Sequence, residues 1–229
     1  NAIHAQSDEI IYTSGGTESN NTAIFGALRA RRGGGRIIVG ATEHPSVYEA
    51  AMSMKGQYAI NEARVDKTGA YDVNMLAQSI ANDVAFVSVM QVNNETGAIN
   101  DIPAIYKAVK QRAPMAIMHV DGVQGFLKVP FDARYCDMYS ISGHKFHAPK
   151  GVGALYVKRG TRFAGGQIGG GQERNLRSGT TNTPGIMGMD AAIGYYAENI
   201  DNIRQRLMNV KLRLASNLTS ISDTFINGP

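Results

Sequence analysis

The feature that most constrains the fold is an alternation of short β-rich runs with segments of helical periodicity. The run EIIYTSGG at 9–16 leads into a segment in which Ala23, Ile24, Ala27 and Leu28 recur at helical spacing. Further β-rich runs lie at 36–41, 83–90, 115–121, 136–142 and 153–157, and helical segments at 45–55, 102–112 and 187–218. Such alternation predicts a mainly parallel sheet with helices on both faces, a three-layer α/β/α architecture. We expect one domain over residues 1–229.

Composition narrows the class of protein. The chain is 43% hydrophobic and 18% charged, as in ordinary globular proteins. No run approaches the roughly 20 apolar residues of a membrane span, and NAIHAQSDEIIYTSGG lacks the layout of a secretion signal. The net charge of +4 is too mild to indicate nucleic-acid binding. The single cysteine, Cys136, agrees with a reducing compartment, so we expect a cytoplasmic protein without membrane or nucleic-acid partners.

Five polar residues stand at the carboxyl ends of five different predicted strands. They are Thr17, His44, Asn94, Asp121 and Lys145. In an open α/β sheet, ligands bind in the crevice outside the carboxyl ends of the strands. We therefore expect these residues, scattered over more than a hundred positions, to converge on one site.

Each motif also has a purely structural interpretation. In SGGTESNN at 14–21, Thr17 and Ser19 can cap a helix. The same glycine turn and helix N-terminus can instead bind an anion, and both interpretations remain open. His44 before Pro45 has the alternative of a loop histidine, and Asp121 that of a helix cap, although a buried carboxylate is costly without a partner. GGGQER at 169–174 neither follows a strand nor opens an apolar helix, which argues against a dinucleotide-binding loop.

Lys145, in ISGHKFHAPKG at 141–151, connects these signals. An amine, an anion-binding turn, a carboxylate and an imidazole in one crevice are the groups needed to hold pyridoxal phosphate. The amine forms an imine with the cofactor aldehyde, and the carboxylate keeps the pyridine nitrogen protonated. A solvated surface lysine is the alternative, and the neighbouring motifs argue against it.

Six ordered motifs then resemble a known family. They are TSGGTESNN, TEHPSV, QVNNETGAI, HVDGVQ, SGHKFHAPKGVGALYV and GGGQERNLRSGT. Their order and spacing resemble those of cysteine desulfurases of the NifS type, in the class V aminotransferase group of fold type I pyridoxal-phosphate enzymes. The resemblance runs from about residue 8 to residue 190.

The resemblance implies a role for each site residue. Lys145 would be the Schiff-base lysine and Asp121 the partner of the pyridinium nitrogen, while His44 would stack on the ring and carry protons as a second catalytic residue. The resemblance also implies that Asn94 and Gln124 bond the ring hydroxyl of the cofactor. The residues implied to hold its phosphate are Gly16, Thr17, Ser142 and His144. Thr180 would reach the phosphate of a neighbouring subunit, which implies a homodimer.

The implied activity is conversion of L-cysteine to L-alanine, with sulfane sulfur passing to an enzyme cysteine and on to acceptor or scaffold proteins of iron–sulfur cluster biogenesis. Family members also have an N-terminal segment and a small C-terminal domain with the nucleophilic cysteine and a carboxylate-binding arginine, so we expect a large domain without turnover of its own. Cys136, in an apolar run, is expected to be structural, and Arg177 is a poor substitute for the arginine.

Two alternatives to this function stay open. The first is another class V enzyme, such as a selenocysteine lyase or an aminotransferase, because one scaffold supports several chemistries. The second is a cofactor-binding fragment that does no chemistry.

Overall fold

The computed structural model describes residues 2–226. Within that range the strands are β1 (Ile10–Thr13), β2 (Arg36–Gly40), β3 (Ala59–Ala63), β4 (Val84–Met90), β5 (Ile117–Asp121), β6 (Met138–Ser142) and β7 (Gly153–Val157). The α-helices are α1 (Gly16–Arg29), α2 (Pro45–Met52), α3 (Val73–Ser79), α4 (Ile102–Arg112) and α5 (Thr183–Thr219). A short 3-10 helix, Gly143–Phe146, follows β6.

The strands form one seven-stranded sheet in the order β1-β7-β6-β5-β4-β2-β3. Strand β7 is antiparallel to both β1 and β6, and the other neighbouring strands are parallel. Since β7 is the only reversed strand of the described sheet, the carboxyl ends of the other six lie at the same edge. The predicted, mainly parallel sheet is confirmed.

Helices cover both faces of the sheet. On one face, α1 and α2 bury Ala23, Ile24 and Val47 in a cluster with strand residues such as Phe86. On the other face, α3, α4 and the first half of α5 pack in a second cluster, to which they contribute Leu76, Ile102, Ile105, Val109, Met189 and Tyr196. Every residue of β4 is buried, which explains why its sequence is a continuous apolar run rather than an alternating one. The three-layer prediction is therefore confirmed.

Three elements differ from the sequence-based expectation. Strand β3 and helix α3 received no prediction; β3 is an edge strand with one buried residue, and α3 buries Leu76 alone. Helix α5 begins at Thr183, four residues earlier than predicted. It begins there because Asn182 caps it, accepting a hydrogen bond from the Gly185 N–H at 3.1 Å, with Pro184 in the first turn.

The second half of α5 is largely exposed. Leu207, Val210 and Leu214 have 58%, 59% and 55% of their surface exposed, respectively. Among residues 2–226, no helix combines the length and the apolar character needed to cross a membrane.

Candidate active site

A cavity of about 260 Å³ opens at the carboxyl edge of the sheet. Nine of the ten predicted site residues line it, namely Gly16, Thr17, His44, Asn94, Asp121, Gln124, Ser142, His144 and Lys145. A cavity of about 300 Å³ lies at the opposite edge, lined by residues such as Arg31, Lys110 and Arg162, and contains none of the predicted site residues. The expected convergence of distant motifs therefore occurs at the carboxyl edge.

A glycine turn between β1 and α1 forms one wall of the cavity. Gly15 precedes α1 with φ +149°, a conformation that favours glycine, and no side chain caps this helix. A Cβ on Gly16 would lie 2.8 Å from Cγ2 of Val123. The cap interpretation of Thr17 and Ser19 is wrong: Ser19 instead lies 2.8 Å from Thr13 Oγ1 and donates to the Ala154 carbonyl. The helix N-terminus is thus left open toward the cavity.

Positive charge gathers beside this turn. His144 Nδ1 lies 3.0 Å from Ser142 Oγ. Burial lowers the pKa of the His144 imidazole, and the neighbouring charges of Lys145, Lys150 and Lys128 lower it further. A helix N-terminus, a hydroxyl and several cations in one region form a site for an anion such as a phosphate group.

Lys145 is held in a rigid turn. It belongs to the 3-10 helix Gly143–Phe146, whose Phe146 is buried against Phe126 with ring centroids 5.1 Å apart. A Cβ on Gly143 would lie 2.9 Å from the Val152 carbonyl oxygen, so this turn packs directly on the following segment. This packed turn presents the Lys145 side chain to the cavity.

Asp121 ends β5 and is only 2% exposed. Its Oδ1 accepts a hydrogen bond from the Val123 N–H at 2.9 Å, and its Oδ2 accepts one from Asn20 Nδ2 at 2.9 Å. Burial raises the pKa of this carboxyl, while the two hydrogen bonds and the charge of Lys145 oppose the rise. Among residues 2–226, no cation forms an ion pair with it at contact distance. It therefore faces the cavity as a buried carboxylate suited to a cationic ligand atom.

His44 caps α2. Its Nδ1 accepts a hydrogen bond from the Ser46 N–H at 3.1 Å and lies 2.8 Å from Ser46 Oγ. The structural interpretation of His44 as a bonded loop histidine is thus correct for one ring nitrogen. The residue nevertheless lines the cavity, so the ring can serve both purposes.

Two amides complete the lining. Asn94 is displayed by a turn in which buried Asn93 accepts hydrogen bonds from the N–H groups of Glu95 and Thr96, both at 2.9 Å. Gln124 accepts a hydrogen bond from Lys128 Nζ at 3.2 Å through Oε1, which leaves its NH₂ group as the donor.

Thr180 and Arg177 lie outside this cavity. Thr180 is exposed and lines a separate cavity of about 90 Å³. Arg177 donates to Glu18 through Nε at 2.7 Å and Nη2 at 3.1 Å. This bidentate pair occupies its guanidinium, which agrees with the expectation that Arg177 is a poor substitute for a carboxylate-binding arginine.

Cys136 is fully buried, just before β6 rather than inside it. Its Sγ lies 3.6 Å from the Ala133 carbonyl oxygen, and burial raises the pKa of the thiol well above its ordinary value. A neutral, enclosed thiol is a poor nucleophile, as expected for a structural cysteine.

Four lining residues were missed by the sequence-based analysis, namely Asn20, Ser46, Met90 and Val123. Asn20 follows Thr17 by three positions on α1, and that spacing places both on one face of the helix. Ser46 follows His44 by two positions in the quoted motif TEHPSV. The helical spacing was the signal that could have revealed Asn20.

The whole described site lies within a match to one family model, that of "Aminotransferase class-V", over residues 1–229. The chain belongs to the class V aminotransferase family. This class V chain is 41% identical over 230 residues to a cysteine desulfurase from Nostoc sp. strain PCC 7120, a match that covers 99% of the chain and 57% of the relative.

Two solved structures are similar to the class V chain. A "NIFS-LIKE PROTEIN" matches with a TM-score of 0.94 and 34% identity, covering 100% of this chain and 63% of the other. "SspA in complex with cysteine" matches with a TM-score of 0.79 and 32% identity, covering 84% of this chain and 57% of the other. These similarities confirm the resemblance seen in the motifs. The class V chain spans between a half and two thirds of the length of these proteins.

Pyridoxal phosphate is the cofactor of this family, and the class V cavity fits it. Asp121 is a buried carboxylate without a cationic partner in the described chain, as the protonated pyridine nitrogen requires. The open N-terminus of α1, with Ser142 and His144, fits the phosphate. Lys145 lines the same cavity, where its amine would meet the aldehyde.

Proposed function

We propose that the protein is a pyridoxal-phosphate-dependent cysteine desulfurase, which converts L-cysteine to L-alanine and passes the sulfur to a thiol. The observation that carries the proposal is the meeting of Lys145, Asp121 and His44 in one cavity beside an anion-binding turn. The names of the relatives support cysteine as the substrate, and one neighbouring structure holds cysteine itself.

Each residue has a defined task in this reaction. The bound cofactor supplies an electron sink for the bonds of the substrate α-carbon. Asp121 holds the proton on the pyridine nitrogen through a charge-assisted hydrogen bond. The Lys145 amine would hold the cofactor through its aldehyde and, once free, would accept the α-proton of the substrate. His44, at the rim of the cavity, carries protons for the later step at the β-carbon.

The sulfur transfer requires a thiolate acceptor. The bond between the β-carbon and sulfur breaks, the sulfur joins the acceptor as a persulfide, and a proton replaces it on the β-carbon to give alanine. Cysteine and a thiol thus yield alanine and a persulfide without an external oxidant. Cys136 is unsuited to this role, because its thiol is fully buried and its pKa is raised. The acceptor is therefore another thiol, from which sulfur passes to acceptor or scaffold proteins.

We further propose a homodimer in which Thr180 of one subunit completes the phosphate site of the other. The position of Thr180 supports this, since in its own chain it lies outside the cavity that Lys145 lines. A two-fold pairing is the commonest way to share such a site. We also propose a cytoplasmic location, which the single cysteine of the sequence, the buried Cys136, favours.

The test is product analysis on the full-length protein. With cysteine and a reductant we expect equal amounts of alanine and sulfide, loss of both in Lys145→Ala, and retention in Lys150→Ala. Selenocysteine, and amino donors with keto acids, are run in parallel. Alanine formed only from selenocysteine, or amino transfer to a keto acid without sulfide release, would replace the proposal by one of the two class V alternatives.

A further inference from the structure

A chain of hydrogen bonds joins Asp121 to His44 through two residues that the reaction above does not use. Asn20, which is 1% exposed, donates through Nδ2 to Asp121 Oδ2 and to Ser46 Oγ, both at 2.9 Å. Ser46 Oγ in turn lies 2.8 Å from His44 Nδ1. The two groups at the ends of this series of hydrogen bonds come from different elements: Asp121 ends β5, and His44 caps α2.

The hydrogens of this chain have one consistent direction. An amide NH₂ carries two hydrogens, and Asn20 uses one for Asp121 and the other for Ser46. Ser46 Oγ therefore accepts from Asn20 and directs its own hydrogen to His44 Nδ1. The Ser46 N–H also donates to the same nitrogen at 3.1 Å. With two donors directed at it, Nδ1 is an acceptor, and the ring proton resides on Nε2.

The Asp121 end selects the same direction. Oδ1 of Asp121 is already held by the Val123 N–H, and Oδ2 accepts only if the Asn20 amide presents its NH₂ group. If the Asn20 amide were flipped, its carbonyl oxygen would face Asp121 Oδ2, and two hydrogen-bond acceptors would lie in contact. The carbonyl Oδ1 of Asn20 is meanwhile buried with no hydrogen-bond partner among the described residues. An unpaired buried oxygen is costly, and it shows that the two donor bonds decide the orientation of this side chain.

We propose that Asn20 and Ser46 are positioning residues that couple the ionised carboxylate of Asp121 to the Nε2–H tautomer of His44. A protonated Asp121 would turn the Asn20 amide and draw the Ser46 hydrogen away from His44. The value of the coupling rests on the proposed function, in which Asp121 holds one proton while His44 delivers another. The Ser46 hydrogen then supports the Nε2–H tautomer of His44 only while Asp121 is ionised.

Single substitutions can reverse or break this series of hydrogen bonds. Asn20→Asp keeps the shape of the side chain and should share one proton with Asp121, which leaves its other oxygen as an acceptor, so that Ser46 directs its hydrogen to residue 20 instead of His44. Ser46→Ala cuts the chain and leaves the backbone N–H on His44 Nδ1. Asn21→Asp is the matched control: the neighbouring Asn21 undergoes the same substitution and donates to the Ser46 carbonyl oxygen at 2.9 Å, but it makes no hydrogen bond within the series that joins Asp121 to His44.

The readout is the tautomer of His44, from ¹⁵N and ¹³C chemical shifts of histidine-labelled full-length protein, without and with pyridoxal phosphate. We expect the Nε2–H form in the wild type, a shift toward Nδ1–H in Asn20→Asp, and little change in Asn21→Asp. Adding Ser46→Ala to Asn20→Asp should restore the Nε2–H form, because the hydroxyl that connects residue 20 to His44 is then absent. Ser46→Ala alone should move the Nδ1 signal toward that of a more weakly bonded nitrogen.

Two results would overturn the coupling. One is an Asn20→Asp effect no larger than that of Asn21→Asp, and the other is an effect that survives Ser46→Ala. If Asn20→Asp fails to fold, an unchanged Nδ1 signal in Ser46→Ala is sufficient to reject the chain. The measurement needs no turnover. Intact coupling without alanine formation would reject only the proposed function, and normal alanine formation without coupling would reject only the positioning role.

Discussion

The Tyr71 hydroxyl donates a hydrogen bond to Oε1 of Glu43 over 2.9 Å, and Glu43 directly precedes His44 in the chain. Burial raises the pKa of the Glu43 carboxyl well above its ordinary value, and the nearby Asp121 raises it further. Oε2 of Glu43 has no hydrogen-bond partner among residues 2–226. The folded protein therefore favours a neutral Glu43.

Glu43→Gln should remove one source of pH-dependent stability. Because the folded-state pKa of Glu43 is raised, its contribution is complete below the unfolded-state pKa and is lost as pH rises through the folded-state pKa. Urea denaturation from pH 4 to pH 8 should show the wild type losing stability relative to Glu43→Gln, by at most about 1.4 kcal/mol per pH unit. Parallel stability curves for the two proteins would mean that Glu43 ionises normally.

Lys145→Ala should abolish the borohydride-stable link to the cofactor. Lys145 is the lysine that lines the cavity, whereas Lys150 is exposed. Full-length protein is loaded with pyridoxal phosphate, reduced with borohydride and analysed by peptide mass spectrometry. Lys150→Ala, five positions away, should keep the labelled peptide; a label lost in Lys150→Ala and kept in Lys145→Ala would reverse the assignment.

Gly153→Ala should destabilise the fold and loosen the cofactor site. A Cβ at this position would lie 2.6 Å from the Ile141 carbonyl oxygen and 2.7 Å from Gly15 Cα, and neither backbone atom can move freely. Overpacking of this kind costs about 1–3 kcal/mol, and the displaced glycine turn should weaken retention of pyridoxal phosphate.

Gly194→Ala provides the control for that substitution. Gly194 is exposed within α5, and a Cβ there meets nothing within 4 Å. Alanine should therefore stabilise the helix by about 0.5–1 kcal/mol. If urea denaturation gives the same change for both variants, close packing at Gly153 is not what holds the turn.

Thr180 offers a test of the shared site by complementation. Thr180→Asp should place a negative charge near the phosphate of the partner subunit and disable both sites of a homodimer. In a mixed dimer with Lys145→Ala, one site combines the intact Lys145 of one subunit with the intact Thr180 of the other. Mixing the two inactive variants under subunit exchange should thus restore alanine formation, whereas a mixture that stays inactive would place Thr180 outside the shared site.

The sequence was sufficient for the layers and for most of the site. Strands β4 and β5 are buried on both faces, so their apolar runs stand out, and polar residues at their ends mark the cavity. Strand β3 gave no such signal: it lies at the edge of the sheet, and four of its five residues are exposed or half-buried. Helix α3 is seven residues long, too short for a periodic pattern.

The hydrogen-bond partners inside the site were beyond prediction. Asn20 and Ser46 both lie in motifs that were noticed for other residues, Thr17 and His44. Their role depends on which way an amide and a hydroxyl point, and on a contact between Asn20 of α1 and Asp121 at the end of β5. Spacing along a chain carries no information about such directions.

Strand β1 carries a consequence for the order in which the protein is made. Within the described chain its one partner is β7, with Ile10 opposite Tyr156. On the ribosome, residues 10–13 must wait for 153–157 to emerge before they can pair, and the glycine turn that follows them waits as well. The glycine turn at the phosphate end of the cavity is therefore fixed in place only after Lys145 and Asp121 have already been translated.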